Sequence, residues 1–272
     1  MRNFRRAIGE DASFAQAYSG LGSASLLLAE HMSTGKEAKY ADARSASQRA
    51  ISLNPRIAEA HATLGFLLFR HDWNANAAGP ELQRAIELEP GQAMHRIMYA
   101  LLLGNTGHLK EALEQVDRAH ASDPLWPPVY LTEAYLAAAA RDNPRALAAA
   151  DTLLRLKPNW TLAHDQNAWA LWYAGRHDEA IREWLLMAEL EQDEARIALE
   201  RRGLEVFRRS GDLAYAELKL EAGKSKTPWA HPNDFELAEW QLNAGEKRAA
   251  LDLASSIRSV CYQTDGDISS RI

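Results

Sequence analysis

Residues 84–90 read "RAIELEP", and the same ending is written as "RAISLNP" at 49–55 and as "RAHASDP" at 118–124. The closing prolines Pro55, Pro90, Pro124 and Pro158 stand 35, 34 and 34 residues apart. A fixed period of this length marks a chain built from stacked supersecondary units, each too small to bury its own apolar face. The ending itself is a helix stop: proline has no N–H and disfavours helix in the residue before it, so it closes one unit before the next begins.

Working outward from the prolines, the same residue types recur at fixed places. The unit from Ala58 has His61 at position 4, Leu64 and Gly65 at 7 and 8, Ala85 in its second helix and Pro90 at its end. The unit from Ala93 has Ala100, Gly107, Ala112, Val116, Ala119 and Pro124 at positions 8, 15, 20, 24, 27 and 32. The units from Pro127 and Thr161 follow with Ala134, Ala146 and Pro158, then Ala168, Gly175, Ala180 and Trp184. Small residues are required where two helices of a hairpin cross closely, and glycine where the turn between them needs a positive φ.

The flanking units are weaker. Residues 15–57 form a lengthened first unit with Tyr18, Leu21, Gly22, Ala43 and Ala50, interrupted by "HMSTGKEAKY". In 195–230, Ala214 keeps its place but Gly211 is displaced and no proline closes the unit. The pattern returns in 231–258 with Ala238, Gly245 and Ala250, and 259–272 is an irregular tail. The reading is an all-α, right-handed alpha-alpha superhelix over 1–258, a solenoid of about seven helix pairs with units near 15–57, 58–92, 93–126, 127–160, 161–194, 195–230 and 231–258. Gly79 and Pro80 predict a late start or a kink in the second helix of 58–92. Because each repeat touches only its neighbours, the units from 58 to 194 are expected to fold without the residues after them.

Bulk properties exclude several functions. A net charge of -6 does not suit direct binding of a nucleic-acid backbone, which needs a basic face, nor a polybasic membrane patch. Cys261 is the single cysteine, so no internal disulfide or Cys-rich zinc site can form. The start "MRNFRRAIGEDASF" lacks the apolar core of a signal peptide and no run reaches membrane-span length, so a cytoplasmic location is expected. His61 and His164 read as core fillers, and Glu111, Glu114, Glu179 and Glu183 as solvated helix faces. "STGKEA" lacks the remaining residues of a phosphate loop. No catalytic residues, cofactor or metal ligands are expected, and the chain does not read as an enzyme.

These repeats resemble the tetratricopeptide repeat (TPR) superfamily over roughly residues 4–258. More narrowly, "HDWNANAAGPELQRAIELEP" (71–90), the stretch 99–129 and "HPNDFELAEWQLNAGEKRAALDL" (231–253) resemble the C-terminal repeat region of bacterial winged-helix transcriptional activators and of some adenylyl cyclases and kinases. The opening "FRRAIGEDASFAQAY" reads as the end of a second helix followed by a new first helix, either a minimal cap or part of a longer chain.

The resemblance implies a concave groove lined by the first helix of each unit. On this chain the groove positions fall on Phe66, Phe69 and Arg70, then Met94, Ile97 and Asn105, then Leu131 and Tyr135. They continue with Asp165, Trp169, Trp172 and Tyr173, and with Phe207 and Arg208. The lysines of the family's two-carboxylate clamp are missing, and the aromatic set suits a peptide with apolar anchors. The same aromatics, at helical spacing, could instead fill the core, and the sequence leaves both readings open. The expected function is a non-catalytic scaffold binding a peptide or protein segment. The alternative is the regulatory or sensory segment of a larger transcriptional regulator or signalling enzyme. The partner and the oligomeric state are not legible.

Overall fold

A computed structural model of the 272-residue chain describes residues 1–32, 34–224, 240, 241 and 243–245. Among these there is no strand, and the helices run α1 (Arg2–Glu10), α2 (Ala15–His31), α3 (Lys36–Leu53), α4 (Ala58–Arg70), α5 (Ala75–Leu88), α6 (Ala93–Asn105), α7 (Leu109–Ser122), α8 (Pro127–Ala139), α9 (Asn143–Leu156), α10 (Thr161–Tyr173), α11 (His177–Glu191) and α12 (Glu194–Lys224). The fold class read from the proline period is the one observed. The chain divides into two compact units, Met1–Val129 and Tyr130–Ile272.

In the first unit α2/α3, α4/α5 and α6/α7 are helical hairpins. Each second helix also packs on the following first helix, α3 on α4 and α5 on α6, while the first helices α2, α4 and α6 form a row and α1 lies on α2. The small residues explain the close crossings. Ala43, Ala50, Ala78, Ala85, Ala112 and Ala119 have no exposed surface. A Cβ on Gly65 would stand 2.8 Å from the Leu82 side chain, and one on Gly22 would stand 2.6 Å from the Ser47 hydroxyl and 3.3 Å from its backbone nitrogen. Helices at that separation leave no room for a larger residue.

Position 4 of the unit has a role beyond filling space. His61 Nε2 reaches the Pro55 carbonyl at 3.0 Å while its Nδ1 meets Glu81 at 2.5 Å. His164 repeats this in the second unit, with Nε2 2.8 Å from the Pro158 carbonyl and Nδ1 2.7 Å from Glu183. Arg96 does the same work with another side chain, donating to the Pro90 carbonyl at 2.9 and 3.2 Å and to Gln115 at 3.1 Å. The proline carbonyl lies past the end of a helix, where no backbone N–H reaches it, so a side chain from the next helix takes it and ties it to the hairpin beyond. Glu183 is accordingly part of a joint rather than only a solvated face.

Two expectations are corrected. α5 starts at Ala75 without delay, capped by Asn74 Oδ1, which accepts from the Ala77 N–H at 2.9 Å, and it runs on through Pro80. The proline lies in the second turn, so one backbone bond is lost while the packing of Ala78 and Leu82 is kept. The second is the ground given for the independence of 58–194, that each repeat touches only its neighbours: Trp240 packs on Trp169 and Trp172 across the unit between them. Tyr215 and Leu220 of α12, together with Trp240, belong to the same buried cluster as Leu171, Trp172, Ile181 and Trp184, so removing 195 onward strips one side of that core.

The displaced glycine of unit 195–230 has a local explanation. Gly211 has φ 82 and ψ -173 inside α12, which is thereby two helices joined by one residue. That backbone region is open essentially to glycine alone. Most of 231–258 and all of 259–272, Cys261 included, lie outside the described residues; within the former, Gly245 has φ 81.

Replacing His164 by Ala is expected to lower the unfolding free energy by about 2 kcal/mol, because a buried ring is removed and two acceptors lose their partner. His164→Arg, copying Arg96, should recover part of that loss in urea denaturation. Equal stability of the Ala variant and the parent would remove the joint from the account of the fold.

Candidate functional site

α10 brings Asp165, Trp169, Trp172 and Tyr173 onto one helix, but at different depths. Trp172 is 4% exposed and is packed by His177 at 4.1 Å, Trp240 at 5.2 Å and Tyr215 at 5.5 Å between ring centroids. It is a core residue, and its place in the groove set is corrected: the ring has no surface to offer a partner. Phe69, also 4% exposed, is corrected for the same reason, being enclosed with Ala78, Leu82 and Leu102. Ile97 is likewise buried.

Trp169 and Tyr173 are half-buried and stack on each other at 5.8 Å. Trp169 is held from beneath by Trp184 at 5.1 Å and Trp240 at 5.4 Å, so the exposed part of the plate rests on a rigid base. Asp165 accepts from Trp184 Nε1 at 3.2 Å. Asn143 Nδ2 donates to the Tyr173 carbonyl at 2.9 Å. Tyr135 on α8 is half-buried.

Phe207 and Arg208 connect to α11 through its first two residues. Phe207 meets His177 edge-on at 5.9 Å, and Arg208 donates to both oxygens of Asp178, at 2.7 and 3.3 Å. Hydrogen bonds from Arg208 and then Arg182 hold the Asp178 carboxyl down to about 2. Arg208 is therefore engaged within the chain. In the first unit, Phe66 is half-buried against Phe69, Arg70 is exposed, and Asn105 turns its amide back to the Leu101 carbonyl at 2.8 Å.

The structure adds groups that the repeat pattern did not mark. Ser23 donates to Glu59 at 2.5 Å and lies 2.9 Å from the Thr63 hydroxyl, while the fully buried His95 stands 3.6 Å from Glu59, linking α2, α4 and α6. Burial raises the Glu59 carboxyl, but the His95 ring and the Ser23 hydroxyl outweigh it and keep the group below the ordinary value. In the second unit the fully buried Glu200 accepts from Tyr215 at 2.7 Å and from Lys219 at 2.6 Å. The Lys219 ammonium lies 5.5–6.0 Å from the rings of Trp184, Tyr215 and Trp240. A lone Ser, His or Lys on a helix gives no such signal, because Ser23, Glu59 and His95 come from three different helices and Glu200 meets Tyr215 and Lys219 across the break at Gly211. Among the described residues no group of three or more His, Cys, Asp or Glu could hold a metal ion, and no helix is long and apolar enough to cross a membrane.

Trp172→Ala should cost about 3–5 kcal/mol of stability, as for other large buried aromatics, and Trp169→Ala distinctly less. Urea denaturation followed by circular dichroism decides this, and equal losses would mean the two rings are equally buried. Asp178, held below its unfolded value, stabilises the fold above the ordinary aspartate range, and that contribution disappears as pH falls from about 4 toward 2. Asp178→Asn should therefore flatten the acid limb of the pH–stability curve in this window and leave its alkaline limb unchanged.

No protein-family model and no curated protein sequence matches the chain. Solved structures do. PilF of Pseudomonas aeruginosa superposes with a TM-score of 0.54 at 22% identity, over 78% of this chain and 99% of its own. TTC0263, a thermophilic TPR protein of Thermus thermophilus, gives 0.55 at 18% identity, over 67% and 98%. A MamA fragment from Desulfovibrio magneticus gives 0.52 at 15% identity, over 66% and 96%. At such identities the likeness concerns the fold alone, and with the helix order it shows an all-α helical-repeat architecture like that of these structures.

Proposed function

We propose that the chain is a non-catalytic interaction scaffold that holds a peptide or protein segment against the first helices of its repeats. The observation that carries this reading is the Trp169–Tyr173 plate: two stacked, half-buried rings on α10, braced by buried tryptophans. Rigid aromatic surface with little conformational freedom left to lose is what binding hot spots are made of. Asp165 and Tyr135 extend the surface in the second unit, and Phe66, Arg70 and Asn105 offer a separate one in the first. An acidic chain with a net charge of -6 favours a protein partner over nucleic acid.

A second reading, a regulatory segment of a larger regulator or signalling enzyme, rests only on the resemblance read from residues 71–90, 99–129 and 231–253, which no compared protein carries. An immunoblot of the native product against residues 93–192 separates the two, since a band well above 30.3 kDa favours the second.

To test the scaffold itself, peptides selected from a random display library on the full chain would be titrated against Trp169→Ala and Tyr173→Ala. Affinity is expected to fall by about tenfold or more with each, while the melting temperature changes little for Tyr173→Ala. Unchanged affinity in both variants would remove the plate from the binding surface.

A further inference from the structure

The turn after each first helix calls for a left-handed residue. Gly107 (φ 87) donates to the Gly104 carbonyl at 3.1 Å and His108 to Leu103 at 2.8 Å; Gly175 (φ 77) donates to Trp172 at 3.0 Å and Arg176 to Leu171 at 2.9 Å. The turn between α8 and α9 makes the same two bonds, Arg141 to Ala138 at 3.0 Å and Asp142 to Ala137 at 2.9 Å, but the left-handed residue is Arg141, at φ 61. A side chain in this conformation costs roughly 1 kcal/mol that glycine does not.

What the arginine does there is equally specific. Its exposed guanidinium lies 4.8 Å from the centroid of Tyr173, the outer ring of the Trp169–Tyr173 plate. Among the described residues no carboxylate or other side-chain oxygen takes its donors. By contrast Arg145, four residues further on, is committed to Glu133 at 2.7 Å, and Arg176 to Glu179. A planar fork of donors, held over an aromatic face and left without an acceptor, matches a carboxylate from outside the chain.

We propose that the second unit binds an acidic extended peptide segment, in which an apolar side chain lies on Trp169 and Tyr173 and a carboxylate meets Arg141. This rests on the scaffold reading and names the chemistry of its ligand. Side chains at i and i+2 of an extended strand point the same way, about 7 Å apart, which sets the spacing of the two features in the ligand.

The test uses the full chain and a peptide array with leucine fixed at one position, Glu, Gln or Lys two residues on, and all other positions varied. Glu peptides should be retained about tenfold better than their Gln counterparts, with Lys peptides weakest and the preference fading in high salt. Arg141→Gly should abolish the Glu-over-Gln preference while the melting temperature stays at or above that of the parent, because the turn is relieved of its strain. Arg141→Lys should keep part of the preference. Equal retention of Glu and Gln peptides overturns the acidic ligand and leaves the scaffold standing; retention of none overturns both. A melting temperature that drops with Arg141→Gly, in step with binding, makes the arginine a structural brace and likewise overturns the proposal.

Discussion

At the ends of three repeats a proline carbonyl, that of Pro55, Pro90 or Pro158, lies past a finished helix, and a side chain of the next repeat answers it. His61, Arg96 and His164 do so from position 4 of the following first helix, and each carries a second contact, to Glu81, Gln115 or Glu183, on the helix that comes after. One side chain thus fixes three elements: the stop, the first helix and the second. Proline is needed to end the helix, and because it ends the helix it creates the acceptor that the joint uses. The alanines then settle how closely the joined helices approach, with no exposed surface left at Ala78, Ala85, Ala112, Ala119, Ala146 or Ala180.

Within the second unit the large aromatics sort by depth on a single helix. Trp169 and Trp172 are three residues apart, close to one helical turn, and both touch Trp184 and Trp240. Trp172 is sealed because Tyr215 and His177 close over it, whereas Trp169 keeps an edge toward solvent with Tyr173 alongside. The same cluster shelters the Glu200–Lys219 pair, whose charges are offset by each other, by the Tyr215 hydroxyl and by the surrounding ring faces. The binding plate and the core are therefore one aromatic assembly, which keeps the exposed rings in place before any partner arrives.

The turns show how a repeat can be bent to a purpose. Where Gly35, Gly107 and Gly175 adopt the left-handed conformation freely, Trp73 (φ 55) and Arg141 (φ 61) adopt it against their own preference in the α4/α5 and α8/α9 turns. A repeat tolerates this because its stability comes from the packing of whole helices, against which one strained residue is a small cost. That margin is where a chain of near-identical units can carry residues that serve something other than its fold.

The architecture was legible in the sequence because the constraints that make it are local and periodic. A proline every 34 or 35 residues, alanine at the crossings and glycine at Gly107 and Gly175 act through the backbone of their own hairpin, so spacing alone reveals them. The same spacing put Phe69 and Trp172 among groove residues, since a helical period says which face a residue is on but not what closes over that face. Only the tertiary structure decided that Trp172 is buried, that Glu183 is half of a joint, that Ser23, Glu59 and His95 meet, and that an arginine outside the groove positions stands over Tyr173. Each of those facts depends on side-chain contacts between different helices and turns, and no single period in a sequence records them.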